Sequence, residues 1–129
     1  MNNVLIIEDL PDVAKWLVDI VQNTLQPEKI HLANSLKEAK ELILANRYSV
    51  ALIDIGLPDG SGIEALKLIK RQNNACFGII STIFDDSENL FSALKQGADG
   101  YILKSETREE ISELLQGVLT GKPPLSPSI

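Results

Sequence analysis

The chain has a single cysteine, Cys76, and a single histidine, His31, so neither an internal disulfide nor a Cys/His zinc cluster can form. A reducing, cytoplasmic setting fits that scarcity. Positive charge is also short: 12 Lys and Arg stand against 18 Asp and Glu, leaving a formal charge of -6. Such a balance offers no general field to attract phosphate backbones, so direct nucleic-acid binding by this segment is not expected. No apolar run approaches the roughly 20 residues that span a bilayer. Met1-Asn2-Asn3 lacks both the basic flank and the long apolar core of a signal peptide. A soluble, unexported chain without a membrane partner follows. Internal repeats and low-complexity segments are missing as well. What remains is 129 residues, 44% hydrophobic and 23% charged, the size and balance of one globular domain. Proline alone is unevenly placed: Pro123, Pro124 and Pro127 crowd the end, so residues 1–121 read as the domain and 122–129 as the start of a linker.

Five short apolar runs punctuate the domain: Val4 to Ile7, Ile30 to Ala33, Val50 to Ile53, Phe77 to Ser81 and Gly100 to Leu103. Their β-branched content and length predict buried strands. Helical spacing fills the intervals. Val13, Trp16, Leu17, Ile20 and Val21 form one stripe, and Ile111, Leu114, Leu115, Val118 and Leu119 form another. Ser35-Leu36-Lys37-Glu38 and Thr107-Arg108-Glu109-Glu110 carry the spacing of a capping box, in which hydroxyl and carboxylate satisfy the first backbone N–H groups of a helix. Five strands alternating with five helices predict right-handed crossovers and a doubly wound α/β domain: a five-stranded parallel sheet with helices on both faces.

Ligands of such sheets bind outside the carboxyl ends of the strands. Glu8 and Asp9 follow the first run, Asp54 follows the third, Ser81 and Thr82 end the fourth, and Lys104 ends the fifth. If the first and third strands are neighbours, three carboxylates converge, and like charges about 4 Å apart repel by roughly 4 kcal/mol at an effective dielectric near 20. A hard divalent cation such as Mg2+ relieves that repulsion and is commonly completed by a phosphate oxygen. Lys104 adds a point charge and Thr82 a hydroxyl, both suited to phosphoryl oxygens. Each residue alone has a plainer role. Asp9 can cap a helix, Asp54 can stabilise the Pro- and Gly-rich turn after it, Thr82 can end a strand, and Lys104 can sit in solvent. Their conjunction at four strand ends reads instead as a carboxylate plus metal that accepts phosphate. His31 reads as structural or surface, and Cys76 as a small apolar residue rather than a nucleophile.

Four segments carry a resemblance: Val4-Leu5-Ile6-Ile7-Glu8-Asp9, Ala51-Leu52-Ile53-Asp54-Ile55-Gly56-Leu57-Pro58-Asp59-Gly60-Ser61-Gly62, Ser81-Thr82-Ile83-Phe84-Asp85-Asp86, and Ala93-Leu94-Lys95-Gln96-Gly97-Ala98-Asp99-Gly100-Tyr101-Ile102-Leu103-Lys104. With them the chain resembles the receiver domains of two-component response regulators, of LuxR/NarL type, over about residues 3 to 121. The resemblance implies a flavodoxin-like strand order, 2-1-3-4-5. It implies Asp54 as phosphoacceptor, with Mg2+ held by Asp9, Asp54 and the Gly56 carbonyl and by Glu8 through water. Thr82 is then the switch hydroxyl, Lys104 the lysine that contacts the phosphoryl group, and Tyr101 the aromatic that follows the switch. The implied partner is a sensor histidine kinase. The implied output is the face of the fourth helix, fifth strand and fifth helix, where a homodimer could form. Such a domain signals rather than turning over a substrate, with slow self-catalysed phosphoryl transfer and autodephosphorylation. Residues 122–129 resemble the linker to a helix-turn-helix domain absent from this sequence, which would carry any DNA binding; a truncated chain is favoured over a stand-alone receiver.

Two of the departures from the commoner pattern bear on the acidic cluster and on access to it. Glu8 stands where Asp is usual, a longer arm that still reaches the metal shell. Ile83 follows Thr82 where a small residue is common, and its bulk could narrow access to the phosphoryl group. Ile83 is the one support for an alternative, a phosphorylation-independent dimerisation or interaction module. A flavodoxin-like FMN binder is a third reading, opposed by the acidic run Glu8-Asp9-Leu10-Pro11-Asp12, which repels phosphate unless a metal intervenes. Leu90, Phe91, Leu94 and Tyr101 are candidates for the output face, with core packing expected of Leu90 and Leu94 from their helical spacing.

Overall fold

The computed structural model describes residues 2–83 and 87–121 and, within them, every side chain but those of Ser87, Val118 and Leu119. The linker expected at 122–129, Phe84-Asp85-Asp86 of the third motif, and the last two side chains of the final helical stripe therefore lie outside the described residues.

Five strands build the sheet: β1 (Asn3–Ile7), β2 (Lys29–Ala33), β3 (Val50–Ile53), and, after a two-stranded hairpin of β4 (Gly56–Leu57) and β5 (Gly60–Ser61), β6 (Phe77–Thr82) and β7 (Gly100–Leu103). Their order is β2-β1-β3-β6-β7, all parallel. Counting only sheet strands, this is the doubly wound 2-1-3-4-5 order that the resemblance implies. The hairpin was not anticipated. It folds the Pro58-Asp59-Gly60 turn back on itself within the loop after β3. The helices are α1 (Pro11–Leu25), α2 (Leu36–Ala45), α3 (Gly62–Gln72), α4 (Ser87–Lys95) and α5 (Arg108–Leu119).

Strand residues alternate between two cores, because successive side chains of a strand point to opposite faces. Ile6, Leu52, Ile79 and Ile102 lie in the core under α1 and α5. Ile7, Ile53, Ile80 and Tyr101 lie in the one under α2, α3 and α4. The stripe of α1 reaches the first core through Leu17, Ile20 and Val21. Of the two expected capping boxes, the one at α5 closes reciprocally and the one at α2 only in half. Thr107 Oγ accepts from the Glu110 N–H at 3.1 Å while Glu110 Oε1 accepts from the Thr107 N–H at 3.0 Å. At α2, Ser35 Oγ accepts from the Glu38 N–H at 3.1 Å, but Glu38 reaches one residue further back, to the Asn34 N–H at 3.0 Å.

Lys70 secures the entrance to β7. Its ammonium donates to the Asp99 carboxylate at 2.9 Å, to the Cys76 carbonyl at 2.9 Å and to the Asn74 carbonyl at 3.0 Å, while the Gly78 N–H donates to the same Asp99 oxygen at 2.8 Å. His31 is structural as expected: its Nδ1 lies 2.7 Å from the Tyr48 hydroxyl, with the two rings edge to face. Cys76 is buried, and burial pushes its thiol up to about 12, which leaves it inert as a nucleophile. Leu94 corrects the expectation of core packing. It is 43% exposed beside Phe91, at 69%, because α4 turns Ala93 and Leu90 inward and Leu94 falls off the edge of that narrow stripe. Tyr101, a candidate for the expected output face, is buried rather than exposed.

Candidate phosphoryl and metal site

The same alternation that divides the core assembles the site. Beyond each strand the parallel ladder continues for one residue: the Glu8 N–H donates to the Ala33 carbonyl at 2.9 Å, Asp54 N–H to Ile7 at 3.0 Å, and Lys104 N–H to Thr82 at 2.8 Å. Glu8, Asp54 and Lys104 therefore stand two residues after Ile6, Leu52 and Ile102, on the α1/α5 face at the carboxyl end of the sheet. Ser81, two residues after Ile79, stands on that face too. Thr82 follows Ile80 to the other face, where it shares the β6–β7 pair with Tyr101, one pleat repeat deeper.

Lys104 crosses this row. Its ammonium pairs with Glu8 Oε1 in a very short contact and lies 3.4 Å from Asp54 Oδ1. The Glu8 side chain is 0% exposed and that of Lys104 only 6%, so this is a buried pair. The second Glu8 oxygen accepts from the Leu10 N–H at 3.2 Å. Glu8, Asp9 and Asp54 each offer a carboxylate oxygen, and these oxygens all lie within 4.8 Å of one another. Burial raises the Asp54 carboxyl from 3.8 to about 6; Lys104 opposes that shift, while Glu8 and Asp9 add to it.

The donor set fits a hard divalent cation. Three carboxylates against one ammonium leave two negative charges unbalanced, and all the donors are oxygens, the chemistry of Mg2+ rather than of a soft metal. Gly56, exposed two residues past Asp54, has open space where a Cβ would be, so any part it plays is through its main-chain carbonyl. Ile83 is 62% exposed and lines an apolar hollow of about 410 Å3 with Asp12, Val13, Trp16 and Lys104.

Two supporting residues escape a reading of the sequence. A Cβ on Gly62 would lie 2.0 Å from the Asp54 carbonyl oxygen and 2.8 Å from Ile53 Cγ2, so glycine is what lets α3 begin directly against the backbone of Asp54. Gly62→Ala is expected to lower stability by about 1–3 kcal/mol through overpacking and to slow any reaction at Asp54, read by thermal melting beside a phosphorylation assay. Asp59 caps α2 across 22 residues of sequence and more, accepting from the Leu36 N–H at 2.7 Å and the Lys37 N–H at 2.9 Å. Those hydrogen bonds hold its carboxyl below the usual range. The Pro58-Asp59-Gly60 turn was the signal, but its partner was out of sight in sequence.

A five-stranded doubly wound sheet with acids at the ends of its first and third strands and a lysine after its last defines an α/β domain with an acidic pocket at the carboxyl end of its sheet. Residues 4–116 match the family model described as the response regulator receiver domain, and the chain belongs to that family. It is 29% identical to the DNA-binding transcriptional activator DevR/DosR of Mycobacterium tuberculosis over 122 residues, 95% of this chain and 56% of that protein. It is 30% identical to the transcriptional regulatory protein YdfI of Bacillus subtilis over 129 residues, 100% of this chain and 60% of that one. The nitrate/nitrite response regulator protein NarP of Escherichia coli is 29% identical over 120 residues, 92% of this chain and 55% of that one. Among solved structures, a LuxR family two-component response regulator from Aurantimonas sp. SI85-9A1 superposes with a TM-score of 0.88 at 25% identity, covering 98% of this chain and 91% of its own. The LuxR/NarL type read from the sequence stands. The chain thus spans little more than half the length of these curated relatives. Receiver domains are signalling domains rather than conventional enzymes, generally bind Mg2+ at an acidic pocket and typically pair with histidine kinases. No helix among the described residues is long and apolar enough to cross a membrane.

Proposed function

We propose that this chain is a phosphorylation-controlled switch in which Asp54 accepts a phosphoryl group from a phosphohistidine of a sensor kinase. The observation that carries this reading is the buried Lys104 ammonium shared between Glu8 and Asp54, inside a cluster of three carboxylates at the carboxyl edge of the sheet. An Asp54 oxygen forms a bond to phosphorus, the phosphorus–nitrogen bond of the donor breaks, and the histidine leaves with its electron pair. Asp9, Asp54 and the Gly56 carbonyl, with Glu8 through water, would hold Mg2+, which supplies positive charge to the phosphoryl oxygens when bound. Lys104 leaves Glu8 to contact the new phosphoryl group, and the Thr82 hydroxyl moves toward it. Tyr101, on the same face as Thr82, follows into the space released.

Through those two residues the change reaches α4, β7 and α5, where Phe91 and Leu94 already expose apolar surface to a second copy or an effector. The receiver unit is residues 1–121. In a longer protein, residues 122–129 would lead to a helix-turn-helix domain that carries the DNA binding, in keeping with relatives described as transcriptional regulators. The reading places the protein in the cytoplasm, and it includes slow autodephosphorylation by water.

Incubation with acetyl phosphate and Mg2+, followed by intact-mass measurement, tests the reading. Gain of one phosphoryl group by the parent, its loss with EDTA, and none on Asp54→Asn are expected. No adduct on the parent, with Mg2+ binding verified separately, would move the function to the phosphorylation-independent interaction module, and Ile83→Ala would then ask whether the side chain beside Lys104 blocks entry.

A further inference from the structure

The site contains a hydroxyl that the reading above leaves without a task. Ile7 pairs with Ile53 and Ile53 with Ile80, so the next residue on each strand, Glu8, Asp54 and Ser81, stands at one height on one face. Neighbouring strands lie about 4.8 Å apart, which makes Ser81 the immediate cross-strand neighbour of Asp54 on the side away from Glu8. Glu8 and Asp54 have Lys104 as a partner. Ser81 is 2% exposed, and its Oγ makes no hydrogen bond among the described residues.

A buried hydroxyl is nearly always hydrogen-bonded, and one left unpaired bears the full cost of its desolvation. The neighbouring aliphatic positions show that this part of the sheet accepts apolar side chains, since Ile79 and Ile102 fill the same face one step below and beside it. Serine here is therefore not required by packing. A state of the protein that brings an acceptor alongside Ser81 recovers the cost that the resting state bears. The group that changes in this row is Asp54, which gains oxygens on phosphorylation.

We infer that Ser81 is a further hydrogen-bonding residue of the phosphorylated site: its hydroxyl donates to an oxygen of the Asp54 acyl phosphate from the protein side and prolongs the life of that state. The inference rests on Asp54 being the phosphoacceptor. In the decay step a water oxygen bonds to phosphorus, the bond between phosphorus and the Asp54 oxygen breaks, and the carboxylate is regenerated with its electron pair. Inorganic phosphate departs with the protons of the water. A hydrogen bond made to the acyl phosphate and missing before phosphorylation stabilises the phosphorylated state against this loss.

The experiment charges the full chain with acetyl phosphate and Mg2+, removes the donor and follows the adduct by intact mass, beside melting curves of the uncharged proteins. Ser81→Ala is expected to shorten the lifetime about fivefold, the order set by loss of one hydrogen bond, while melting no lower than the parent. Ser81→Thr, which keeps the hydroxyl, is expected to decay near the parent rate, and Ser81→Cys, near in size but a weak donor, to follow the alanine variant. Parent-like decay of Ser81→Ala and Ser81→Cys overturns the inference. So does a lower melting temperature for uncharged Ser81→Ala with an unchanged lifetime, which would show the hydroxyl already satisfied at rest. A parent that binds Mg2+ yet takes up no phosphoryl group overturns the phosphoacceptor reading and this inference with it, whereas a parent that charges normally leaves Ser81 alone on trial.

Discussion

Lys104→Met is expected to destabilise the unphosphorylated domain by about 3–5 kcal/mol, the effect of stranding one member of a buried ion pair. Methionine keeps most of the length and apolar stem of lysine, so the loss reports the ammonium rather than a cavity. Without it, the fully buried Glu8 carboxylate keeps, among the described residues, only its hydrogen bond from the Leu10 N–H, with Asp54 and Asp9 as like-charged neighbours. For a domain of this size the loss corresponds to a melting point lower by roughly 10–20 °C. Two further measurements separate electrostatics from packing. Glu8→Gln in the Lys104→Met background should recover a large part of the loss, a coupling that a double-mutant cycle reads directly. Saturating Mg2+ should raise the melting point of Lys104→Met by more than that of the parent, since the variant lacks its internal cation. A melting point within a few degrees of the parent would show that Glu8 does not depend on Lys104, and the assignment of Lys104 as the internal counter-ion would be lost.

The same pair shows what a sequence discloses and what it withholds. Buried strands announce themselves, because Val4 to Ile7 and Val50 to Ile53 have apolar side chains on both faces of the sheet; the expected limits differ from β1, β2 and β6 by one residue where the ladder continues through Asn3, Lys29 and Thr82. The acids and the lysine were legible only together: each alone has a plain structural use at the end of an apolar run, and their conjunction at several strand ends is what pointed to chemistry. That Lys104 pairs with Glu8 across two intervening strands was not legible, because the reach of a lysine depends on strand order and height together. Ser81 and Thr82 illustrate the point most sharply. They are adjacent hydroxyls of similar chemistry, and only the alternation along β6 puts Ser81 on the face of Ile79 and Thr82 on that of Ile80 and Tyr101. Gly62 and Asp59 are a further case: three glycines and a proline advertise a turn, but contact with the Asp54 carbonyl and a cap on α2 are tertiary facts. Leu94 failed because helical spacing defines a stripe without its width, and small Ala93 lets α4 meet the core along a narrow line.

Asp54→Asn is expected to make the domain more stable at neutral pH even as it abolishes phosphoryl acceptance. The Asp54 carboxyl is raised from 3.8 to about 6, first by burial, with Glu8 and Asp9 adding to the effect and Lys104 opposing it. Between those two values the folded protein holds a proton that the unfolded chain has released. Stability from this group is therefore fully present below pH 3.8 and is lost as pH rises through about 6. At roughly 1.4 kcal/mol per pH unit, the shift corresponds to a penalty on the order of 3 kcal/mol at pH 7, which an uncharged asparagine of the same shape escapes. Urea titrations of both proteins at pH 7.5, 6, 5 and 4 should show the advantage of Asp54→Asn shrinking steadily and vanishing near the acid end. A difference between the two that does not change with pH would refute the charge-based account and leave packing as the cause. Mg2+ should act on the parent in the direction of the substitution and much less on the variant, because it answers the repulsion that asparagine has removed. The cost of keeping Asp54 ionised beside Glu8 and Asp9 is thus what a bound cation and an arriving phosphoryl group have to work against, and it is stored where a small chemical change at one side chain can redirect Lys104.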